Sequence, residues 1–235
     1  GIQPLGGKLF GNESLKENGI DLESLKMDNR HFLEAFKKLT LFRDERNVLT
    51  RINYRDLDVE ELGSVYEALL DLNPYFQTEE SIPVFAFGEG TERKSTGSYY
   101  TRHDLVAQLI KSALMPVMEE RIKAAGKNPK KQEEALLSMN VCDPAAGSGH
   151  FLLAAARNMG FELAKIRSGE ENPGEGYVLV ATRDVISHCI YGVDKNPAAV
   201  ELCQLSLWLV GHNSGKPLNF LDHKIKCGDS LIGVD

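Results

Sequence analysis

Cysteine is scarce, and none of it is spaced for metal or redox work. Cys142, Cys189, Cys203 and Cys227 are the only four, and they form no Cys-x-x-Cys pair. That argues against a disulfide-built scaffold and, with the six histidines scattered, against a clustered zinc site. Cys142, Cys189 and Cys227 lie in apolar segments that read as strands, so the thiols are expected to be reduced core residues of a cytoplasmic protein. No apolar run approaches the roughly 18 residues of a membrane span. The opening Gly1-Ile2-Gln3-Pro4 has neither a basic n-region nor a long apolar stretch, so no secretory leader is expected. Positive charge is also in deficit, with 27 Lys and Arg against 34 Asp and Glu, a formal net charge of −7. A chain that gripped nucleic acid by itself would usually show a basic face. There is no Pro-Pro pair, no internal repeat and no low-complexity tract.

What is present suits a globular protein. The 235 residues, 42% of them hydrophobic and 26% charged, allow one large domain or a core with a smaller helical appendage. Residues 1–28 are weakly patterned. Asn29 to Arg43 reads as a helix with Phe32, Leu33, Phe36 and Leu39 on one stripe. A second helix follows from Asp58, a cap with Glu61 three residues on, and carries Val59, Leu62, Tyr66 and Leu69 until Asn73-Pro74 stops it. Val84-Phe85-Ala86-Phe87 reads as a strand or hairpin. Thr101 is placed to cap a helix from Arg102 to about Ala125, with Leu105, Val106, Leu109 and Ile110 as its buried stripe and a kink at Pro116. Residues 126–132 read as an exposed basic connector. Residues 1–94 are therefore expected to be a mainly helical N-terminal region.

From Ser138 the pattern becomes strand, turn, helix. Strands are expected at Met139–Cys142, Cys189–Val193 and Lys224–Cys227. Helices are expected from Gly147 to about Ile166, from Tyr177 to about Ser187 and from Pro197 to Val210. Strands alternating with helices imply a parallel sheet covered on both faces, the α/β class.

The chemistry concentrates at the strand ends. Asp143 closes a strand and is followed by Pro144-Ala145-Ala146-Gly147-Ser148-Gly149, then a helix. Glycines let the backbone turn sharply and let a ligand approach without a β-carbon in the way. The free amides of the helix start favour an anion, a gain of about 0.3–1 kcal/mol. A dinucleotide fingerprint fits badly: Leu152 holds the third glycine position, and the next strand-end acid, Asp194, comes 51 residues after Asp143. A Walker phosphate loop lacks its Gly-Lys-Ser/Thr end. Asp194, in Gly192-Val193-Asp194-Lys195-Asn196-Pro197, could accept from both hydroxyls of a ribose or simply cap the helix opened by Pro197. Asp229, in Gly228-Asp229-Ser230, could accept from an adenine amine or be an ordinary turn residue. Thr101 and the amides after it suit a carboxylate, or form an ordinary capped turn.

Taken in order, Thr96-Gly97-Ser98-Tyr99-Tyr100-Thr101, Asp143-Pro-Ala-Ala-Gly-Ser-Gly-His-Phe151, Gly192-Val-Asp-Lys-Asn-Pro197 and Gly228-Asp-Ser-Leu-Ile232 resemble the motif series of adenine-N6 DNA methyltransferases. The likeness is strongest to the large single-chain methylases of restriction–modification and phage-defence systems. Glu61 to Leu70 is similar to a helix that precedes the core in those proteins, so the likeness covers about residues 55–235. It implies a Rossmann-like S-adenosylmethionine-dependent methyltransferase core over residues 95–235. The cofactor residues it implies are Thr96, Gly97, Tyr99, Tyr100 and Thr101 at the methionine end, Asp143, Ala145, Gly147 and Gly149 under the methionine and ribose, Asp194 with Lys195 at the ribose, and Asp229 with Ser230 at the adenine.

The family's catalytic Asn/Asp-Pro-Pro-aromatic motif grips a flipped adenine. It is missing from this sequence; Asn73-Pro74-Tyr75-Phe76 has one proline and precedes the glycine turn. The expectation is thus a cofactor-binding part of a DNA adenine-N6 methyltransferase, truncated after its third core strand and inactive alone. Double-stranded DNA would be held by regions outside residues 1–235, and a fused or separate restriction nuclease or defence-system subunits are the further partners implied. No metal and no membrane association are expected. A protein or RNA methyltransferase of the same fold, or a non-catalytic binding module, are the alternatives.

Overall fold

The computed structural model describes residues 16–17, 20–21, 24, 26–53, 59–70, 72–79, 82–89, 101–211 and 221–233. Up to residue 89 the elements are β1 (Lys16–Glu17), β2 (Ile20–Asp21), α1 (Asn29–Thr40), β3 (Leu41–Arg43), β4 (Leu49–Arg51), α2 (Val59–Leu70), β5 (Leu72–Glu79) and β6 (Ile82–Glu89). The strands pair in sequence as three antiparallel hairpins. The described N-terminal residues are therefore mixed α and β rather than mainly helical.

Three local readings change here. The first helix stops at Thr40, because Leu41–Arg43 pairs with Leu49–Arg51 across a turn in which Asn47 takes the left-handed conformation. Its N-cap is Asp28, which accepts from the Arg30 and His31 amides. Its apolar stripe, Phe32, Leu33, Phe36 and Leu39, is exposed. The second helix ends at Leu70, and Asn73-Pro74 lies inside β5, with Pro74 opposite Phe87. Both strands of a two-stranded sheet are edges, where a proline's missing N–H is tolerated. Val84–Phe87 is in a hairpin as expected. Asp58 lies outside the described residues.

The long helix after Thr101 comes in three parts: α3 (His103–Leu109), a π-helical stretch (Ile110–Leu114) and α4 (Met115–Ala124). Pro116 cannot donate to the carbonyl four residues back, and its ring crowds that carbonyl; a widened turn just before it relieves both. Val106 and Ile110, four apart, are buried against the core, whereas Leu105 and Leu109, one helical step round, are exposed. Residues 126–132 are not merely a connector. Asn128 accepts from the Lys130 and Lys131 amides and Pro129 opens α5 (Pro129–Leu137).

The rest alternates strand and helix: β7 (Val141–Asp143), α6 (His150–Ser168), α7 (Glu175–Cys189), β8 (Ile190–Asp194), α8 (Pro197–Val210), α9 (Leu221–Lys224) and β9 (Ile225–Cys227). The three strands form one parallel sheet in sequence order, with Val141 opposite Ile190 and Gly192 opposite Ile225. Parallel neighbours require long crossovers, which the helices supply. Leu152, Leu153, Met159 and Leu163 of α6, with Val185 and Ile186 of α7, are buried at the centre. Gly160 lets α6 and α7 touch: a β-carbon there would lie 2.6 Å from Thr182 Cα. Arg167 on α6 joins the layer at its rim, donating to Glu133 of α5 at 2.6 Å and to Asp184 of α7 at 2.7 Å.

All four cysteines are free thiols, but only Cys189 and Cys203 are core residues. Cys142 and Cys227 are exposed, on β7 and β9, the two edges of the described sheet. Cys189 closes α7 rather than opening a strand.

Candidate ligand site at the carboxyl ends of the sheet

The site is built where β7, β8 and β9 end. Asp143 ends β7 half-buried, and its Oδ1 accepts the Ala145 amide at 3.0 Å, which starts the turn. The Ala146 amide then donates to the Val193 carbonyl of β8 at 2.9 Å, and the Gly147 amide donates to Asp194 Oδ2 at 2.7 Å. The turn is therefore held across the sheet as well as along the chain. Gly147 and Gly149 have φ of +53° and +90°, conformations that L side chains rarely adopt.

The two glycines differ in what surrounds them. A β-carbon on Gly149 would lie 2.6 Å from Cys203 Sγ on α8, so this residue is pressed against the core. A β-carbon on Gly147 would meet nothing within 4 Å among the described residues. One side of the turn is packed and the other opens, a backbone cradle that a ligand can approach closely. Gly192, in the middle of β8, has the same office beneath it, since a β-carbon there would meet Leu152 Cδ1 at 2.8 Å and Ala146 Cβ at 3.1 Å.

Asp194 is the hub. Its Oδ1 accepts the Asn196 amide at 2.8 Å, and its backbone carbonyl accepts the Gly228 amide at 2.9 Å, which brings in the end of β9. Asn196 is buried and caps α8, accepting from the Ala198 and Ala199 amides. The capping role open to Asp194 in the sequence thus falls to Asn196. Asp229 Oδ1 accepts the Leu231 amide at 2.9 Å and the Ile232 amide at 3.4 Å, and its carbonyl accepts from Gly233. Ser230, next to it, is exposed, as is Lys195, next to Asp194.

The electrostatics follow from this crowding of acids. Burial pushes the Asp143 carboxyl above its ordinary value; the Ala145 amide pulls it back, and the nearby Asp194 charge adds to the rise. Burial, then the charges of Asp143 and Asp194, drive the Cys203 thiol far up, so it stays a thiol and packs as an apolar group. Among the described residues no group of His, Cys, Asp and Glu side chains is placed to hold a metal ion.

The structure brings together Asp143, Ala145, Gly147, Gly149, Asp194 and Asp229. Thr101 is half-buried and is not the cap: Arg102 holds the capping position, and its side chain pairs with the Asp104 carboxylate instead of the free amides of the helix start. Thr96, Gly97, Tyr99 and Tyr100 lie outside the described residues. Two residues not among the expected cofactor residues belong to this neighbourhood. His150, the first residue of α6, is buried, and its ring stands 5.9 Å from that of His103, the first residue of α3. Their only signal in the sequence was position, each following a proposed ligand segment. A cleft of about 460 Å³ reaches Asp143, walled by Ile110, Leu114 and Val117 against Val141, Pro144 and Phe151.

Two half-buried carboxylates and an open glycine turn offer acceptors for hydroxyls and amide donors for an anion, a set suited to a nucleoside with a charged tail. Comparison with known proteins agrees with that character. Residues 58–232 match the family described as N-6 DNA Methylase. A protein of Methanocaldococcus jannaschii that carries the name of a type II restriction enzyme and methyltransferase is 26% identical over 263 aligned residues, covering 94% of this chain and 19% of that protein. The adenine-specific methyltransferase PglX of Streptomyces coelicolor is 32% identical over 123 residues, 49% of this chain and 10% of PglX. The chain thus spans a fifth or less of the length of these curated relatives.

Proposed function

The chain belongs to the N-6 DNA methylase family, and we propose that it forms the S-adenosylmethionine site of an enzyme that methylates the exocyclic amine of adenine in DNA. The names of both relatives support methyl transfer, and that of PglX supports adenine. We further read residues 95–235 as a Rossmann-like methyltransferase core, with residues 1–94 as a separate N-terminal region. The parallel order β7-β8-β9 supports the core assignment.

The observation that carries the proposal is the junction of Asp194 with the glycine turn. S-adenosylmethionine, when bound, supplies an electrophilic methyl on a sulfonium. The chain's residues bind and orient it. The open face of Gly147, with Asp143 and Ala145 beside it, takes the methionine and ribose. Asp194 accepts from the ribose hydroxyls, with Lys195 at its rim. Asp229 accepts from the adenine amine, with Ser230 next to it. The segment containing Thr96, Gly97, Tyr99, Tyr100 and Thr101 takes the methionine end. Both Asp194 oxygens already hold a backbone amide, yet an ionised carboxylate has about four acceptor positions. Ribose hydroxyls therefore add to the Gly147 and Asn196 bonds rather than replace them.

Orientation is the protein's main contribution in such a transfer, worth about 7–11 kcal/mol when the reacting groups are well aligned. The DNA-contacting and amine-gripping parts are assigned to regions beyond these residues, with nuclease or defence-system partners. Titration calorimetry of S-adenosylmethionine into the protein tests the reading: binding at one site per chain is expected, and no detectable heat or competition with S-adenosylhomocysteine would refute it.

A further inference from the structure

Resting on that cofactor reading, we propose that His103 is a positioning residue, whose exposed imidazole makes a tilted ring contact with the buried imidazole of His150 and ties the start of α3 to the glycine turn.

The two rings are 5.9 Å apart between centroids, with planes 31° from parallel, a tilted aromatic contact. His150 is 5% exposed and directly follows Gly149, the left-handed residue that ends the turn. His103 is exposed and opens α3, two residues after Thr101. Below this pair the helix is anchored by apolar side chains, Val106 at 1% and Ile110 at 8% exposure. Those residues hold α3 to the core. They do not hold its first turn, where Leu105 is exposed and Arg102, among the described residues, pairs with Asp104. The histidine pair supplies a contact at that end.

The consequence is preorganisation. The two segments joined, Thr101–Arg102 and Gly147–Gly149, are two arms of the proposed site. If the arms were free to move apart, the ligand would have to order them on binding, which costs affinity. His103 lies outside the core, so its loss should reach ligand binding and leave folding stability alone.

The test is calorimetry with S-adenosylmethionine on wild type, His103→Ala and His103→Phe, with the melting temperature of each ligand-free protein. We expect His103→Ala to bind roughly two- to tenfold more weakly, the range of an aromatic pair, with an unchanged melting temperature. His103→Phe, which keeps a ring, should bind like wild type. Equal affinity of His103→Ala and wild type overturns the proposal. So does a loss of affinity matched by a loss of melting temperature, or a His103→Phe protein as weak as His103→Ala. Absence of binding by wild type overturns the cofactor reading and this inference with it.

Discussion

Asp194 Oδ2 accepts the amide of Gly147 at 2.7 Å, across 47 residues of sequence. The bond joins the acid that ends β8 to the turn that follows β7. Through Oδ1 the same carboxylate holds the Asn196 amide, so one side chain sets the geometry of two loops at the strand ends.

Removing that carboxylate should therefore do more than delete a ribose contact. Asp194→Ala frees two backbone amides and removes the hydroxyl acceptor. Charge-assisted bonds are worth about 1.5–3 kcal/mol each, so affinity for S-adenosylmethionine should fall at least about tenfold by calorimetry. Asp194→Asn keeps one acceptor oxygen but aims an amide donor at a backbone donor, and should fall between the two. Equal affinity of wild type and Asp194→Ala would remove Asp194 from the ligand site.

Asp143 should couple ligand binding to pH. Its carboxyl is raised in the folded protein, chiefly by burial. A raised acid favours the folded state when protonated: that stability is fully present below the unfolded value and is lost as pH rises through the folded value. Asp143→Asn, which keeps the acceptor for Ala145, should then melt slightly higher than wild type near pH 7, by no more than about 2 °C, with the gap closing at acid pH. Wild-type affinity for S-adenosylmethionine should fall on acidification sooner than an ordinary aspartate would dictate. A pH-independent difference in melting temperature would contradict this.

The two glycines of the turn should respond differently to alanine. Gly149→Ala brings a β-carbon to 2.6 Å from Cys203 Sγ at a φ of +90°, and should destabilise by about 2–4 kcal/mol from overpacking and strain. Cys203→Ala in the same chain should recover part of the loss, leaving the backbone strain. Gly147→Ala meets no neighbour, so it should cost only about 1–2 kcal/mol of left-handed strain while weakening ligand binding. Urea unfolding and calorimetry on the same proteins separate the effects.

Native alkylation should label Cys142 and Cys227 only. Both are exposed, whereas Cys203 is buried and the Cys189 thiol is pushed up to about 11 by burial. Peptide mass spectrometry after a short iodoacetamide pulse reads the pattern. Early labelling of Cys203 would show that the packed side of the glycine turn opens.

Much of the α/β part was legible along the chain. Pro197 begins its helix and Val210 ends it, as the first-turn proline and apolar run predict. Strands β8 and β9 lie within a residue of their expected places. These signals are local: a cap, a proline, a short apolar run. The errors arose where a local signal had a tertiary competitor. Asn73-Pro74 stops helices, but a hairpin edge accepts it. Cys142 reads as core from its apolar neighbours, but strand alternation on an edge turns it outward. Leu105 and Val106 look alike in sequence, and only the direction of α6 decides which is buried.

By itself the sequence determined the residue types of the candidate site and their order, because glycines mark positive φ and Asp143 and Asp194 close short apolar runs. Tertiary structure alone decided their partners. That Asp194 holds Gly147, that Cys203 presses on Gly149 and that the His103 ring meets that of His150 depend on the parallel pairing of β7 and β8 and on helices packed beside them. Such contacts join residues about 50 positions apart, where no local propensity acts and only the packing of the core sets the distance.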